Sequence, residues 1–264
     1  MTINKPLTFA HSGTSGDTLI ALAFIRALGG GHLYLKLNNI DRVVQKYLGW
    51  PNGGVHSGRM TQDDFNSLEQ LISHQPYITG FSIWNGEPID YDFDLAATKH
   101  HITDWPRNVS NIYARALELE PEQYRKQVQI DSWIECREPI KVPGRAIAVF
   151  RGTRYLDGNP LQPQEWLEWL EWGLAEQSFF IGLPNEYDYF CKTFSVTTIP
   201  YIPTKNFWEM SQYLQGAEMM ITSMGGPCAL GICMGKTMQI EYRKNISIEQ
   251  LEINWPWRSN LFYF

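Results

Sequence analysis

The chain has 264 residues, a formal net charge of −6, and 44% hydrophobic and 14% aromatic residues, ten of them tryptophan. That length accommodates one large α/β domain or two of roughly 100–150 residues, and so aromatic a composition excludes a disordered chain. The acidic balance, with no run of five like charges, weighs against a broad nucleic-acid footprint.

In chain order, Leu7–Ala10 is a strand candidate. It enters a glycine-and-hydroxyl loop, residues 11–18, and then a helical pattern over Leu19–Leu28. After three glycines, His32–Leu35 makes a second short apolar run. Helices are expected over Ile40–Tyr47, closed by Gly49-Trp50-Pro51, and over Gln62–His74. Pro76–Phe81 reads as a short strand, and Ile89–Leu95 alternates in polarity like a strand with one wet face. A helix over Val109–Leu119 closes the first half.

Ile130–Gly144 carries two prolines and mixed polarity and is taken as the linker region. The rhythm then restarts. Ala146–Phe150 is a continuous apolar run, as expected of a buried parallel strand. After the loop RGTRYLDGNP, a helix over Pro163–Glu176 carries Trp166, Trp169 and Trp172 at three-residue spacing, a packing face rather than a sugar platform. A strand at Phe179–Gly182, a helix at Phe207–Gln215 capped by Asn206, and a strand at Met219–Thr222 follow. A Gly-Gly-Pro turn leads to a helix at Cys228–Met234 and a strand at Thr237–Glu241. The tail from Ile246 to Phe264 is strongly aromatic.

Strands alternating with helices in both halves predict two parallel-sheet α/β domains, whose ligands belong at strand carboxyl ends and in a cleft between the domains. No apolar run approaches the roughly 18–20 residues that cross a bilayer, and the N-terminus lacks a basic segment followed by an apolar core. The four cysteines, Cys136, Cys191, Cys228 and Cys233, fit no zinc or CxxC spacing. Reduced thiols in a cytoplasmic protein are expected.

Two loops carry chemistry. The first, HSGTSGDT, is no phosphate-binding P-loop, because Asp17 stands where a lysine must reach the phosphates. The glycine spacing also fails the dinucleotide fingerprint. Asp17 just inside a helix start is either a charge that complements the helix dipole or a general base on a rigid turn. The second loop, ITSMGGPCALGICMGK, delivers Thr222 and Ser223 from a strand. Gly225 and Gly226 permit close backbone approach, Pro227 suits a first helical position, and the following N–H groups make an anion site. The alternative is an ordinary tight strand–helix turn.

These two loops resemble those of the heptosyltransferase-like, family 9 glycosyltransferases of the GT-B fold. Ser15-Gly16-Asp17-Thr18-Leu19-Ile20 is similar to the family's N-terminal Gly-Asp pattern. Gly226-Pro227-Cys228-Ala229-Leu230-Gly231 with Gly235-Lys236 is similar to its C-terminal pattern, and Phe180-Ile181-Gly182 with Glu186 to the segment before the donor site. The family histidine falls on Ala229 and the proline after Gly-Lys on Thr237, and the chain is shorter than typical members.

The resemblance implies two Rossmann-like parallel-sheet domains facing across a cleft: an acceptor-side domain over 1–140, a nucleotide-sugar domain over 141–245, and a tail over 246–264 packing back on the first. It implies inverting, metal-independent transfer from a nucleotide sugar, with no cofactor beyond that substrate. Asp17 is then the base, and Gly225, Gly226, Pro227 and Cys228, with Ser223 and Glu186, form the donor site. Arg151 and Arg154 are candidates for the diphosphate charge, with solvated surface arginines as the alternative. Glu241 is a candidate for a ribose or sugar hydroxyl, or else a plain strand-end charge. His11, Ser15 and Gly16 are the acceptor-side candidates, although His11 also reads as a satisfied buried histidine.

No carboxylate pair is offered by either loop, and Asp90, Asp92 and Asp94 read as one wet strand face rather than a metal site. The acceptor stays open among a glycan, a small molecule, a protein and a hydroxylated nucleobase. A monomer or weak dimer is expected. The competing readings are a nucleotide-sugar epimerase and a non-catalytic nucleotide or sugar binding protein of the same fold.

Overall fold

Residues 6–37, 60–93, 113, 132–152, 164–171, 173–241 and 261–263 are described by the structure, a computed structural model. The chain divides into two units, Met1–Trp133 with Ile248–Trp257, and Ile134–Ser247 with Arg258–Phe264.

In the first unit β1 (Leu7–His11) buries Phe9 and Ala10 completely. The helix α1 (Ser15–Ala27) begins four residues before the apolar pattern does. Its start is set by chemistry: the Thr14 side chain accepts the Asp17 N–H while the Asp17 carboxylate accepts the Thr14 N–H, a capping box. Gly30, at φ 89°, lets the chain reverse hard against the sheet, where a Cβ would stand 2.1 Å from the Tyr77 carbonyl. Then come β2 (Gly31–Leu35), α2 (Gln62–Ser73), β3 (Ile78–Ile83) and β4 (Tyr91–Asp92).

Two strands differ from expectation. Residues 75–78 close a turn, with the Ile78 N–H donating to Gln75 at 3.0 Å, so β3 starts at Ile78 rather than Pro76. Of the described part of the stretch expected at 89–95, Tyr91 and Asp92 lie in strand; the Asp90 N–H still donates to the Thr8 carbonyl at 3.0 Å, and its carboxylate also accepts the Thr8 N–H and hydroxyl, both at 2.8 Å. The helices expected at 40–47 and 109–119 lie outside the described residues apart from Tyr113, which is helical and fully buried.

The second unit contains β5 (Ile147–Phe150), α3 (Gln164–Glu171), β6 (Ser178–Gly182), α4 (Pro184–Phe194), β7 (Tyr201–Pro203), α5 (Phe207–Gly216), β8 (Met219–Ser223), α6 (Gly226–Cys233), β9 (Thr237–Glu241) and β10 (Leu261–Tyr263). All four residues of β5 are buried, as its unbroken apolar run requires. Asn206 caps α5 by accepting the Glu209 N–H at 2.9 Å.

The helix expected over 163–176 ends at Glu171; Gly173 at φ 73° breaks it, and a 3₁₀ turn covers Leu174–Gln177. Trp166 and Trp169 pack edge to face in the core of this unit, and Trp172 lies outside the described residues. Both α4 and β7 are additions to the sequence reading. The end of the tail also departs from it: Leu261–Tyr263 pairs with β9 in the second sheet instead of packing on the first domain.

Every described strand pair is parallel, and both sheets share one logic. The first runs β3-β2-β1-β4 and the second β10-β9-β8-β5-β6-β7. In each, the chain builds outward on one side of its first strand and then returns to the other side. The reversal falls between β1 and β4 in one sheet and between β5 and β8 in the other. Open α/β sheets bind ligands at the carboxyl ends of strands at such switch points.

Candidate functional site

In the second unit, the switch point gathers the ends of β5, β6, β8 and β9. The loop after β5 is held by Ser223, whose Oγ accepts the Gly152 N–H at 2.9 Å. Ser223 is fully buried, so its hydroxyl joins two loops beneath the surface. The Phe150 ring forms a floor. A Cβ on Gly152, Gly182 or Gly225 would lie 3.3, 3.0 or 3.2 Å from that ring, and one on Gly226 would lie 3.0 Å from the Phe207 ring. Small residues therefore fit closely where three strand-end loops converge.

The loop after β8 enters α6 directly. The first intrahelical bond runs from the Ala229 N–H to the Gly225 carbonyl at 3.0 Å. Pro227 brings no N–H, so the first turn presents the Gly226 and Cys228 amides ahead of the helical ladder. Such a turn carries the positive end of the helix dipole. Burial drives the Cys228 thiol up to about 12, against a backbone hydrogen bond from Gly225 that works the other way. Cys228 thus offers this site a backbone amide, and its thiol stays a packed, uncharged group.

Glu186 stands at the neighbouring loop. It is the third residue of α4 and accepts the Leu183 N–H through Oε2 at 2.8 Å. A Cβ on Gly182 would come within 2.9 Å of the same oxygen.

Arg151 and Glu241 correct the sequence reading most sharply. Neither presents its charge for a donor. Arg151 Nε and Nη2 donate to Glu241 Oε2 and Oε1, each at 2.8 Å, and the two residues are 3% and 4% exposed. Trp166 Nε1 adds a third bond to Glu241 Oε2 at 3.0 Å, and the guanidinium lies 5.3 Å from the Phe194 ring centre. Burial works against the Arg151 charge, but its bonds to Glu241 and a further one to Tyr189 leave it held above the ordinary arginine range. The pair braces the end of β5 against the end of β9 across β8. Arg154 lies outside the described residues.

In the first unit, Asp17 sits at the switch-point end of β1. Oδ2 accepts the Thr14 N–H at 3.0 Å and the Thr14 hydroxyl at 2.7 Å, while Oδ1 hydrogen-bonds no other described residue. The residue is half-buried. One carboxylate oxygen serves the helix start and the other has no hydrogen bond among the described residues, so the helix-start role leaves room for the other sequence reading of Asp17.

His11 is fully buried and does not line an exposed surface. Its Nδ1 accepts the Gly13 N–H at 2.9 Å, and its Nε2 lies 2.8 Å from the Tyr113 hydroxyl. Ser15 points its hydroxyl at Asp64 of α2, at 3.5 Å, and Gly16 is a half-buried residue of the first helical turn. Sequence reasoning missed Tyr113, Thr14 and Thr18 here. The T-x-x-D spacing of Thr14 and Asp17 was the available signal for Thr14.

Asp92 pairs with Lys36, whose ammonium lies 5.2 Å from the Trp84 ring centre, and Asp90 serves Thr8. The expected wet face is thus spent on two separate partners among the described residues, and Asp94 falls outside them.

No protein-family model matches the chain, and no curated protein matches it in sequence. Solved structures do. A family 9 glycosyl transferase from Veillonella parvula superposes with a TM-score of 0.59 at 12% identity, covering 100% of this chain and 87% of that one. The Escherichia coli heptosyltransferase WaaC with ADP gives 0.54 at 11%, covering 97% of this chain and 92% of that one. The dodecameric iron-containing heptosyltransferase TibC, in complex with ADP-D-β-D-heptose, gives 0.52 at 14%, covering 97% and 63%. With two parallel-sheet units and these neighbours along its length, the chain has a GT-B-type α/β fold.

Proposed function

We propose that this protein is an inverting, metal-independent glycosyltransferase that moves a sugar from a nucleotide-sugar donor to an acceptor hydroxyl. The observation that carries the reading is that each chemistry-bearing loop falls at the switch point of its own sheet: the Gly225–Cys228 turn between β5 and β8, and the Gly13–Asp17 turn beside β1. The fold shared with heptosyltransferases supports the same chemistry.

In this reading the first turn of α6 holds the donor diphosphate through backbone amides and the helix dipole, and stabilises the negative charge that grows as the glycosidic bond breaks. Asp17 Oδ1 takes the proton from the acceptor hydroxyl as it attacks the anomeric carbon, while Thr14 keeps Oδ2 and the carboxylate orientation fixed. The hydroxyl oxygen forms the new bond, the nucleoside diphosphate departs with the old bonding pair, and attack opposite the leaving group inverts the anomeric centre. No step calls on a metal or a cofactor.

Two of the structural neighbours were solved with ADP or an ADP-linked heptose, which makes ADP-heptose the first donor to try. Four cysteines outside any disulfide suit a reducing cytoplasm, and no described helix is long and apolar enough to cross a membrane. The acceptor class is left to experiment.

The test is release of nucleoside diphosphate from ADP-heptose, UDP-glucose and GDP-mannose in EDTA, with the wild type and Asp17→Asn. Turnover of one donor that persists in EDTA and falls at least 100-fold in Asp17→Asn is the expected result. Turnover that Asp17→Asn leaves intact overturns the assignment of the base. Ala229 at the family's histidine position favours one second reading, a nucleotide-binding protein without transfer activity. It predicts binding of the diphosphate with no release from any of the three sugars.

A further inference from the structure

We infer that His11 and Tyr113 are positioning residues for Asp17, acting through the backbone of the Gly13 turn; this rests on the reading of Asp17 as the base. The hydrogen bonds assign the tautomer. The Gly13 N–H donates to His11 Nδ1 at 2.9 Å, so Nδ1 carries no proton. The ring proton is therefore on Nε2, which donates to the Tyr113 hydroxyl at 2.8 Å. That hydroxyl keeps its own proton for the backbone carbonyl of Asp17, 3.4 Å away. The Thr18 hydroxyl stands between His11 Nδ1 at 3.2 Å and the Thr14 carbonyl at 3.0 Å, with one proton for the two.

The chain of contacts closes on the carboxylate from both sides. One arm runs from Tyr113 through His11 to the Gly13 amide, and Thr14, the next residue, grips Asp17 Oδ2 with its amide and hydroxyl. The other arm runs from Tyr113 straight to the Asp17 backbone. Packing independently marks the same unit. Gly13 is sandwiched so tightly that a Cβ there would stand 2.6 Å from His11 Cε1, 3.0 Å from Asp17 Cβ and 3.1 Å from Asp17 Oδ2. Phe93 and Phe24 set their rings edge to face against Tyr113, with centroids 5.4 and 5.7 Å away, which fixes the phenol that anchors the imidazole. Both His11 and Tyr113 are fully buried, so neither touches an acceptor; they act by holding the turn.

The decisive experiment uses the full chain labelled with ¹⁵N-histidine, together with His11→Gln, His11→Asn and Tyr113→Phe. Nitrogen NMR is expected to show an unprotonated Nδ1 and a protonated Nε2 on His11; a proton on Nδ1 overturns the inference whatever the enzyme does. Turnover is read with whichever of ADP-heptose, UDP-glucose and GDP-mannose the wild type consumes, and ADP, UDP or GDP affinity is read alongside. Asparagine can present an acceptor near Nδ1 and glutamine a donor near Nε2. His11→Gln is therefore expected to lower kcat on the order of 100-fold with donor KM and diphosphate affinity unchanged, His11→Asn to recover most of that loss, and Tyr113→Phe to fall between.

Diphosphate affinity that drops in step with kcat reveals general destabilisation and overturns the inference. So does wild-type kcat in His11→Gln when Asp17→Asn is dead. If Asp17→Asn is itself active, the base assignment fails separately, and the NMR arm still decides whether the imidazole holds the turn.

Discussion

Glu241 and Arg151 show how a strand-end charge changes meaning once it is buried. Truncating Glu241 to alanine leaves a desolvated guanidinium without its carboxylate, and is expected to cost about 3–5 kcal/mol in denaturant unfolding. Trp166→Phe, which removes one donor to the same carboxylate, is expected to cost less. Trp169 is the contrast. Its buried indole N–H has no hydrogen-bond partner among the described residues, so Trp169→Phe gives up packing but no described bond, and should be the milder of the two tryptophan changes. Cys228 sets a pH dependence. Its folded pKa of about 12 lies above the ordinary thiol value of 9.0, so the native state holds a proton that the unfolded chain gives up. Its contribution is complete below about pH 9 and disappears as pH rises toward 12. Cys228→Ala should flatten the alkaline limb of the stability curve, and an unchanged limb would contradict this. The Gly226-Pro227 turn was legible in the sequence because its chemistry is local. The Arg151–Glu241 pair was not, because its partners are 90 residues apart and a lone charge at a strand end reads as solvated.

Helix starts are the element in which sequence and structure correspond most closely. Both α1 and α2 open on T-x-x-D, Thr14 to Asp17 and Thr61 to Asp64, and both form complete capping boxes. Thr14→Ala and Thr61→Ala should each cost about 0.5–2 kcal/mol of stability. Only Thr14→Ala should also depress turnover, because only that box holds the proposed base. Equal turnover in the two variants would detach the cap from the chemistry. Apolar periodicity alone, which begins at Leu19, is silent about the polar first turn of α1; the start is legible there from Asp17 and its cap. The same weakness hid α4: Asn185-Glu186-Tyr187-Asp188-Tyr189 lacks an aliphatic stripe, although Pro184 and Glu186 are proper start signals. Among the described residues β4 is shorter than the alternation of polarity suggested, and at its start Asp90 adds a carboxylate bond to the backbone bond it makes with Thr8, which alternation cannot reveal. Glycine at 182 is favoured by φ 146°, and a Cβ there would also push on Glu186 Oε2, 2.9 Å away, so Gly182→Ala should weaken diphosphate binding by moving the loop between β6 and α4.

At the scale of the whole molecule, the same build order appears in both sheets, outward from the first strand and then back across it. The alternation of strands and helices made this architecture legible before any coordinate was known, because a buried parallel strand such as Ala146–Phe150 has an unmistakable apolar run. The register and order of strands were not legible, since they depend on pairings between distant segments. That order places the two glycine turns proposed as sites at the switch points of their sheets. The measurement that tests the central claim most directly is titration of ADP, UDP and GDP into the full chain in EDTA, with Gly226→Val as the comparison, because a side chain there meets the Phe207 ring and crowds the first turn of α6. Saturable one-to-one binding of one diphosphate without metal, weakened at least tenfold in Gly226→Val while the variant stays folded, is the predicted result. No binding of any of the three, or binding that Gly226→Val leaves unchanged, would contradict it.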